Sequence, residues 1–411
     1  MSQSTTTDVP KAEQGQTAAA SSAADATPVV PYSVFTKTEK RLMVALAGSS
    51  MLFSPLTANI YFPAMLQLQT DLDTSAQLIN LTITAYLVFQ AIAPALFGDL
   101  ADSVGRRPAF LGMFAIYAAA SLGLALQRSL PALLALRMLQ SLGASATPAV
   151  SYGLVADVAT PAERGGFMGI VTVGGNLGPA LAPVIGGAIL GARGSSWRWI
   201  FWFLLVCGGV MLLLLGLFMP ETARRIVGNG AVLPRAWRRP LISLLAGVRI
   251  PRHGRPGPRD GVGGQKRQVP NPLRAVRVIF HKDAALVLLI SGLFYMSYYC
   301  LQTSIALLFR ERYGFSDTVI GACYLCIGGG VVIGGYLNGR LVDRDYVATA
   351  RAAGLEVDRN KSDLSKFPIE AARFRSMRYL LLLHSGLLVG FGWAMDRYVV
   401  HLALAPSSFR G

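Results

Sequence analysis

Long apolar stretches alternate with short polar connections along most of this 411-residue chain. A helix needs about 20 mostly apolar residues to cross the hydrocarbon core of a bilayer. Nine stretches have roughly this length: 42–65, 77–97, 109–127, 130–155, 165–190, 198–219, 284–308, 318–338 and 377–395. A tenth begins at Val399 and stops near Pro406, which is too short to cross. The pattern predicts an all-α, polytopic membrane protein with nine complete spans.

A long basic segment separates six spans from three. We predict four regions: a disordered cytosolic tail (1–40), a six-helix half (41–220), a basic cytosolic linker (221–283) and an incomplete second half (284–411). Two sets of spans joined by a polar linker are typical of secondary transporters.

Composition supports the membrane prediction, because 53% of the residues are hydrophobic and only 15% are charged. Soluble domains carry about 25% charged residues. The net charge of +16 first suggests a nucleic-acid partner. However, fourteen Lys and Arg against three acids lie between Glu221 and Asp283, and 340–378 is also basic. This distribution is the positive-inside pattern, and it predicts that the N-terminus and both basic loops are cytosolic. We therefore expect anionic lipid, and no nucleic acid, as the partner of these loops.

Enzyme and metal chemistry find little support. Cys207, Cys300, Cys323 and Cys326 all lie in predicted spans. The Cys323–Cys326 spacing fits redox or metal chemistry, but the absence of a neighbouring His or acid favours packing. The chain has no phosphate loop, metal-spaced His cluster or nucleophile elbow. We expect no metal, no cofactor and no enzymatic activity.

A charged connection, GDLADSVGRRP at 98–108, joins the second and third spans. Its glycines permit a tight turn, and Asp102 can pair with a cation or cap a helix. The connection is either a topology anchor or a moving part. The pattern Gly-x-Leu-x-Asp recurs at 339–343, in the other half, which favours a moving part. The predicted conformational latch consists of Gly98, Asp102, Gly105, Arg106 and Arg107.

The fourth span carries Arg137 and Gln140. A charge inside a membrane helix is costly and usually functional. The alternative is that Arg137 lies near the outer end and extends to water.

The fifth span carries small residues at four-residue spacing together with prolines. Small residues let helices pack backbone to backbone, and prolines free backbone carbonyls and bend the helix. The residues are Gly174, Gly178, Pro179, Pro183, Gly186 and Gly187.

Polar and aromatic residues within the spans are candidates for a broad cavity with a few polar anchors. An aromatic belt at the membrane interface explains the tyrosines equally well. The candidates are Asn59, Tyr61, Tyr86, Gln90, Tyr152, Tyr295, Tyr298 and Tyr299.

Several of these stretches together resemble the major facilitator superfamily, and more narrowly the fungal twelve-span drug:proton antiporters of the quinidine-resistance type. The resemblance rests on TANIYFPAM (57–65), the stretch 80–108, LRMLQSLGASATPAVSYGLVADV (136–158), GGNLGPALAPVIGGAI (174–189), WRWIFWF (197–203), PETAR (220–224) and YGFSDTVIGACYL (313–325). Two departures are Ser103, where the family usually has Arg, and Ser141, where it usually has Gly.

This resemblance implies the major facilitator fold of two six-helix halves and proton-coupled export of drugs or other small organic compounds by alternating access. It implies that the latch holds one conformation, that Arg137, Gln140 and Asp102 couple protons, and that the fifth span is the antiporter helix. It also implies a multi-pass monomer in the plasma membrane that binds a small-molecule substrate and protons.

The second half is short for this resemblance, because three spans and a fragment stand where six are expected. The expectation from this is a truncated chain. The alternative function is therefore a non-transporting copy or a membrane sensor of the same fold.

Overall fold

The computed structural model describes residues 32–192, 196–245, 280–352 and 374–396, and this part of the chain is helical without any strand. Its helices are α1 (Lys37–Asn59), α2 (Met65–Asp71), α3 (Ala76–Val104), α4 (Arg106–Leu126), α5 (Leu130–Ser145), α6 (Thr147–Val158), α7 (Pro161–Gly191), α8 (Arg198–Phe218), α9 (Arg224–Val227), α10 (Leu241–Leu245), α11 (Lys282–Tyr313), α12 (Asp317–Ala352) and α13 (Met377–Asp396). Short 3₁₀ turns lie at Phe62–Ala64 and Ala236–Arg238. The all-α prediction is confirmed.

Two of the long helices begin at capping boxes. The Thr36 side chain accepts from the Glu39 amide, and the Glu39 carboxylate accepts from the Thr36 amide. Thr160 and Glu163 form the same arrangement at the start of α7, where Pro161 occupies the first turn. Each box satisfies amides that have no partner within the helix, so these sequences fix where α1 and α7 start.

Seven helices of the described residues are long and apolar enough to cross a membrane. They correspond to seven of the nine predicted spans. The protein is thus a multi-pass membrane protein, and the fourth and eighth predicted spans differ from the prediction in form.

The fourth predicted span (130–155) is not one helix. It is divided into α5 and α6, which meet at Ala146. Pro148 lies in the first turn of α6 and has no N–H to donate to the preceding turn, which removes one helical hydrogen bond at this junction. The prediction of a continuous span was therefore wrong at this point.

The eighth predicted span (318–338) belongs to a longer helix. α12 continues to Ala352, through the repeated GRLVDRD pattern, and its apolar part is Thr318–Val331. Charged residues end the apolar stretch without ending the helix, because Arg and Asp cost little helical propensity compared with Gly or Pro. The predicted loop at 340–378 was wrong for residues 340–352.

Other predicted boundaries lie partly outside the described residues. α1 begins at Lys37, within the segment predicted as a tail. Residues 1–31, the linker segment 246–279, residues 353–373 and the short apolar stretch 399–406 are outside the described part.

The helices of the first half share one core. α7 packs along α1, α4 packs along α8, and both α3 and α4 pack against α5. Phe53 meets Phe114 and Tyr117 edge to face, with centroids 5.0 and 5.5 Å apart. The second half adds α12, which lies against the other side of α7.

The bundle has two ends with different polar contacts. At one end lie Gly105, the α6–α7 connection and the segment after α8; we call it the Gly105 end. At the other, the Trp197 indole donates to Asp71 Oδ2 at 2.8 Å and Arg198 donates to the Gln127 carbonyl at 3.3 Å. We call this the Trp197 end.

Candidate functional site

The predicted 98–108 connection is a single residue. α3 runs to Val104, Gly105 has φ +122°, and α4 begins at Arg106. A Cβ on Gly105 would lie 2.8 Å from Glu221 Cδ. Both the dihedral angle and the close approach of Glu221 therefore require glycine here.

Glu221 caps α4. Its Oε1 accepts from the amides of Arg106 at 2.9 Å and of Thr222 and Ala223 at 3.0 Å each. A carboxylate at a helix N-terminus is favoured by the exposed amides and the helix dipole. Glu221 is almost fully buried, and this burial raises the pKa of its carboxyl even though the three amide hydrogen bonds oppose the rise.

Arg106 pairs with two acids. Its Nη2 lies 2.6 Å from Asp102 Oδ1, and its Nε lies 3.0 Å from Asp157 Oδ2. A Cβ on Gly153 would lie 2.6 Å from Arg106 Cζ, so the guanidinium rests on a glycine of α6. Together Asp102, Arg106, Asp157 and Glu221 form what we call the end cluster.

Two other residues of the predicted latch lie beside this cluster. Gly98 faces Ala149, and a Cβ on Gly98 would lie at an ordinary contact distance of 3.8 Å from the Ala149 methyl. Arg107 is buried and points away from Asp102, because it donates to the carbonyls of Gly216, Met219 and Trp237 at 2.8–2.9 Å. Arg107 therefore ties the start of α4 to the end of α8.

Further ion contacts hold the same end together. Lys40 pairs with Glu163 at 2.9 Å. Arg224 donates to the Asp157 carbonyl at 3.0 Å and lies 3.6 Å from the centre of the Tyr32 ring. These contacts join the chain preceding α1, the α6–α7 region and the segment after α8.

Arg137 lies inside the bundle with no exposed surface. The interpretation that it extends to water is therefore wrong. Its Nη1 donates to the Thr57 carbonyl at 3.2 Å and to Gln140 Oε1 at 3.1 Å. The rings of Tyr61 and Tyr86 lie 4.5 and 4.6 Å from its Cζ.

No carboxylate contacts Arg137 in the part of the chain that the structure describes, and its Nε and Nη2 have no hydrogen-bond partner there. Asp102, the acid predicted to act with Arg137 and Gln140, lies in the end cluster. We call Arg137, Gln140, Thr57, Tyr61 and Tyr86 the core cluster.

A network of neutral polar groups surrounds the core cluster. Tyr61 and Thr82 share a hydrogen bond at 3.0 Å, and Tyr86 donates to the Ser54 carbonyl at 3.1 Å. The Gln90 amide donates to Ser54 Oγ at 2.9 Å. These hydroxyls and amides are satisfied among themselves, so they orient the two tyrosines beside Arg137.

The tyrosines predicted in the second half form a group on α11. Tyr295 donates to the Tyr299 hydroxyl at 3.3 Å, and the rings of Tyr298 and Tyr299 meet at 5.5 Å. The Tyr299 ring lies 6.5 Å from Phe62, at the turn after α1. Tyr299 thus contacts the first half, whereas Tyr298 lines a cavity among helices of the second half.

Two other cavity candidates lie apart from these groups. Asn59 is buried, and its amide donates to the Pro55 carbonyl at 2.6 Å, within its own helix. The Tyr152 hydroxyl bonds Thr172 at 3.3 Å, between α6 and α7.

The small residues of α7 touch both neighbouring helices. Gly174 and Gly186 lie against the carbonyls of Gly48 and Ile60, and a Cβ on Gly178 would lie 2.6 Å from Pro55 Cγ. Pro179 and Pro183 lie within an unbroken helix.

The opposite side of α7 meets α12. A Cβ on Gly321 would lie 2.7 Å from the Pro183 carbonyl oxygen and 3.1 Å from Gly187 Cα, and a Cβ on Gly328 would lie 2.5 Å from the Ala180 methyl. Of the predicted residues, Pro183 and Gly187 thus lie where the two halves of the chain meet, whereas Gly174, Gly178 and Gly186 pack within the first half.

A model of the Major Facilitator Superfamily matches residues 47–405. This chain belongs to the Major Facilitator Superfamily. It is 39% identical over 368 residues to MFS-type transporter phiD of Fungal sp. (strain ATCC 74256), covering 89% of this chain and 56% of that protein. It is 38% identical over 374 residues to MFS-type transporter tstD of Talaromyces stipitatus, covering 90% and 67%.

Another superfamily relative is Citrate exporter 1 of Aspergillus niger, with 34% identity over 365 residues, 86% of this chain and 68% of that protein. The chain thus spans between 56% and 68% of the lengths of these three relatives. They carry transporter names rather than enzyme names.

Among solved structures, the fold is similar to that of a bacterial homologue of the human lysosomal transporter Spinster, inward-facing and unoccupied. The TM-score is 0.53 at 17% identity, over 82% of this chain and 73% of the other. This similarity concerns the fold.

Sequence reasoning missed Glu221, Asp157 and Gly153 as members of the site. All three lie in stretches that carry the family resemblance, PETAR and SYGLVADV, but their partner Arg106 lies 115 residues from Glu221 and 51 from Asp157. The available signal was an acid or glycine next to the end of an apolar span.

Proposed function

We propose that this chain transports small organic compounds out of the cytosol by alternating access, coupled to proton movement in the opposite direction. The observation that carries the proposal is where the two halves touch. Contacts between α7 and α12 extend from Thr318 to Gly328, about 15 Å of helix at 1.5 Å per residue. They begin at the Trp197 end.

Toward the Gly105 end, the side of α7 that carries Ala180 has no close neighbour among the described residues. A Cβ on Gly165 or Gly169 of α7 would meet no atom of these residues within 4 Å. Halves that close at one end and part at the other form a cavity open to one side. When the open end closes and the closed end opens, a bound compound is moved across the membrane.

The finer parts of the proposal have separate supports. Export is supported by the named citrate exporter among the relatives and antiport by the small-residue face of α7. Proton coupling is assigned to Arg137, Gln140 and Asp102, and the latch to the end cluster. The cavity candidates are Tyr61 and Tyr86 beside Arg137, Gln90 in the surrounding polar network, and Tyr295, Tyr298 and Tyr299 on α11. The protein acts as a monomer.

A reversible crosslink tests the proposal. Cβ atoms on Gly191 and Thr318 would lie 3.3 Å apart, near the spacing of about 3.5–4.5 Å that a disulfide needs. We would prepare Gly191→Cys/Thr318→Cys in a background with Cys207, Cys300, Cys323 and Cys326 replaced by alanine. The purified full chain would be reconstituted in vesicles containing a pH-sensitive dye.

A panel of cationic, neutral and anionic aromatic compounds would be added under a pH gradient. We expect compound movement with opposite proton movement in the reduced protein, arrest on oxidation and recovery on reduction. The cysteine-free background and each single-cysteine variant are the controls. Unchanged transport in the fully crosslinked protein excludes alternating access, and a folded, inserted chain that moves no compound favours a sensor.

The orientation proposed is a cytosolic N-terminus in the plasma membrane. It is supported by the basic linker and by the cations at the Gly105 end, where α1 begins. An impermeant thiol reagent should not label Asp260→Cys in intact cells, in the same cysteine-free background. Labelling before permeabilisation would reverse the orientation.

A further inference from the structure

The core cluster contains a buried cation that has no partner acid among the residues that the structure describes. Arg137 contacts two tyrosine rings, one carbonyl and one amide oxygen, and none of these carries a negative charge. Transfer of an unpaired guanidinium from water to the interior is strongly unfavourable. Such a charge inside a membrane protein marks a functional site, with its missing partner supplied by something that binds.

The unpartnered atoms define which partner fits. Both hydrogen bonds of Arg137 use Nη1, whereas Nε and Nη2 have none in the described residues. Nε and Nη2 lie on one edge of the planar guanidinium and direct their N–H bonds in parallel. This edge matches the two oxygens of a carboxylate.

The surroundings of Arg137 exclude a cationic ligand. A cationic compound at this position would face Arg137 at close range in a low-dielectric interior, where like charges repel strongly. Nearby tyrosine rings provide apolar faces for an aromatic or aliphatic body.

We propose that Arg137 binds the carboxylate of an organic anion through Nε and Nη2, with Tyr61 and Tyr86 against its apolar part. This assignment rests on the proposed transport function and narrows its substrate from small organic compounds in general to organic acids. Arg137 has no exposed surface in this conformation. The anion enters when the helices around Tyr61 and Tyr86 part during the transport cycle.

Three probes of one shape test the charge preference. The purified full chain in lipid nanodiscs would be titrated with 1-naphthoate, 1-naphthamide and 1-naphthylmethylammonium, and thermal unfolding would report binding. We expect naphthoate to raise the unfolding midpoint with an apparent affinity at least about tenfold above the other two probes. Hexanoate and citrate extend the test to carboxylates of other shapes.

Variants test whether Arg137 is responsible for the preference for naphthoate. Arg137→Gln should abolish it, and Arg310→Gln, which removes a cation outside the core cluster, should keep it. If Arg137→Gln does not fold, Arg137→Lys retains the charge but not the paired donors, and it should weaken naphthoate binding by about tenfold. Retention of the naphthoate preference by a folded Arg137→Gln protein would overturn the assignment.

The wild-type result decides the proposal without any variant. Equal binding of naphthamide and naphthoate, or no response to any of the three carboxylates up to about 10 mM, would overturn it. Carboxylate binding without movement in vesicles would leave this assignment standing and refute transport. Movement of cationic or neutral compounds with no carboxylate preference would support transport and overturn the assignment of Arg137 as a carboxylate site.

Discussion

The two arginine clusters of the first half contain the same kind of residue in opposite circumstances. In the end cluster, Arg106 pairs with Asp102 and Asp157. The neighbouring Arg107 donates hydrogen bonds to three backbone carbonyls. In the core cluster, Arg137 has two hydrogen bonds from one nitrogen and no acid. The cation that costs most to bury is the one with the fewest partners.

This difference separates structural from functional charge. Ion pairs and carbonyl contacts at the Gly105 end fix where α4 begins and hold three connections together. Arg137 fixes no helix end, its Nε and Nη2 have no partner among the described residues, and its Cζ lies over the rings of Tyr61 and Tyr86. We infer that removal of a cation at the Gly105 end should destabilise the fold. Removal of the cation in the core cluster should instead reduce transport.

The largest expected effect comes from Arg137→Met. Transport should fall by more than about tenfold, because the buried cation whose Nε and Nη2 have no partner among the described residues is lost. The thermal unfolding midpoint should stay the same or rise, since removal of an unpaired buried charge relieves a desolvation cost of several kcal/mol. Vesicle transport and thermal unfolding of the same preparation measure the two quantities.

The matched substitution Arg107→Met should have the opposite pattern. It leaves three carbonyls without their donor, and hydrogen bonds to charged groups contribute about 1.5–3 kcal/mol each. We expect a stability loss of at least about 3 kcal/mol, with transport per folded molecule close to wild type. If both Met variants lower the unfolding midpoint equally, the distinction between the clusters is wrong.

A smaller effect is expected for Asp102→Asn. Its side chain is 63% exposed in the pair with Arg106, and exposed pairs contribute about 0.2–1 kcal/mol. This energy changes a conformational equilibrium by roughly 1.4- to fivefold, so efflux should fall by a similar factor while membrane abundance stays unchanged. If Asp102→Asn shows the same efflux as wild type, Asp102 contributes to membrane topology and not to the transport cycle.

The smallest effect concerns the pH dependence of stability. Burial raises the pKa of Glu221 above its ordinary value. Between the two values the folded chain holds a proton that the unfolded chain has released, so this carboxyl contributes less stability as the pH rises through that interval. Glu221→Gln should therefore show a smaller decrease in unfolding midpoint from pH 5 to pH 7 than wild type. If the unfolding midpoint of Glu221→Gln decreases as much as that of wild type, groups other than Glu221 cause the pH dependence of stability.

The sequence was sufficient for features that depend on local pattern. Apolar length predicted the helices, and the charge at Arg137 stood out because its neighbours in the chain are apolar. Proline in Thr147–Pro148 also predicts a break locally, yet hydropathy alone counted the two helices as one span.

Contacts between distant segments could not be predicted in this way. Nothing near Glu221 in the sequence indicates that it caps a helix starting 115 residues earlier. Similarly, Arg106 and Arg107 are adjacent and identical, and only the direction of the α4 turn decides that one meets acids and the other carbonyls.

The contact between α7 and α12 has a kinetic consequence. At Gly321 and Gly328 of α12, the two helices meet through the backbone of Pro183 and Gly187 and through the Ala180 methyl. Two such surfaces slide past each other without any side chain changing its rotamer. At these positions, exchange of the open and closed ends therefore lacks the unlocking step that interdigitated side chains would impose.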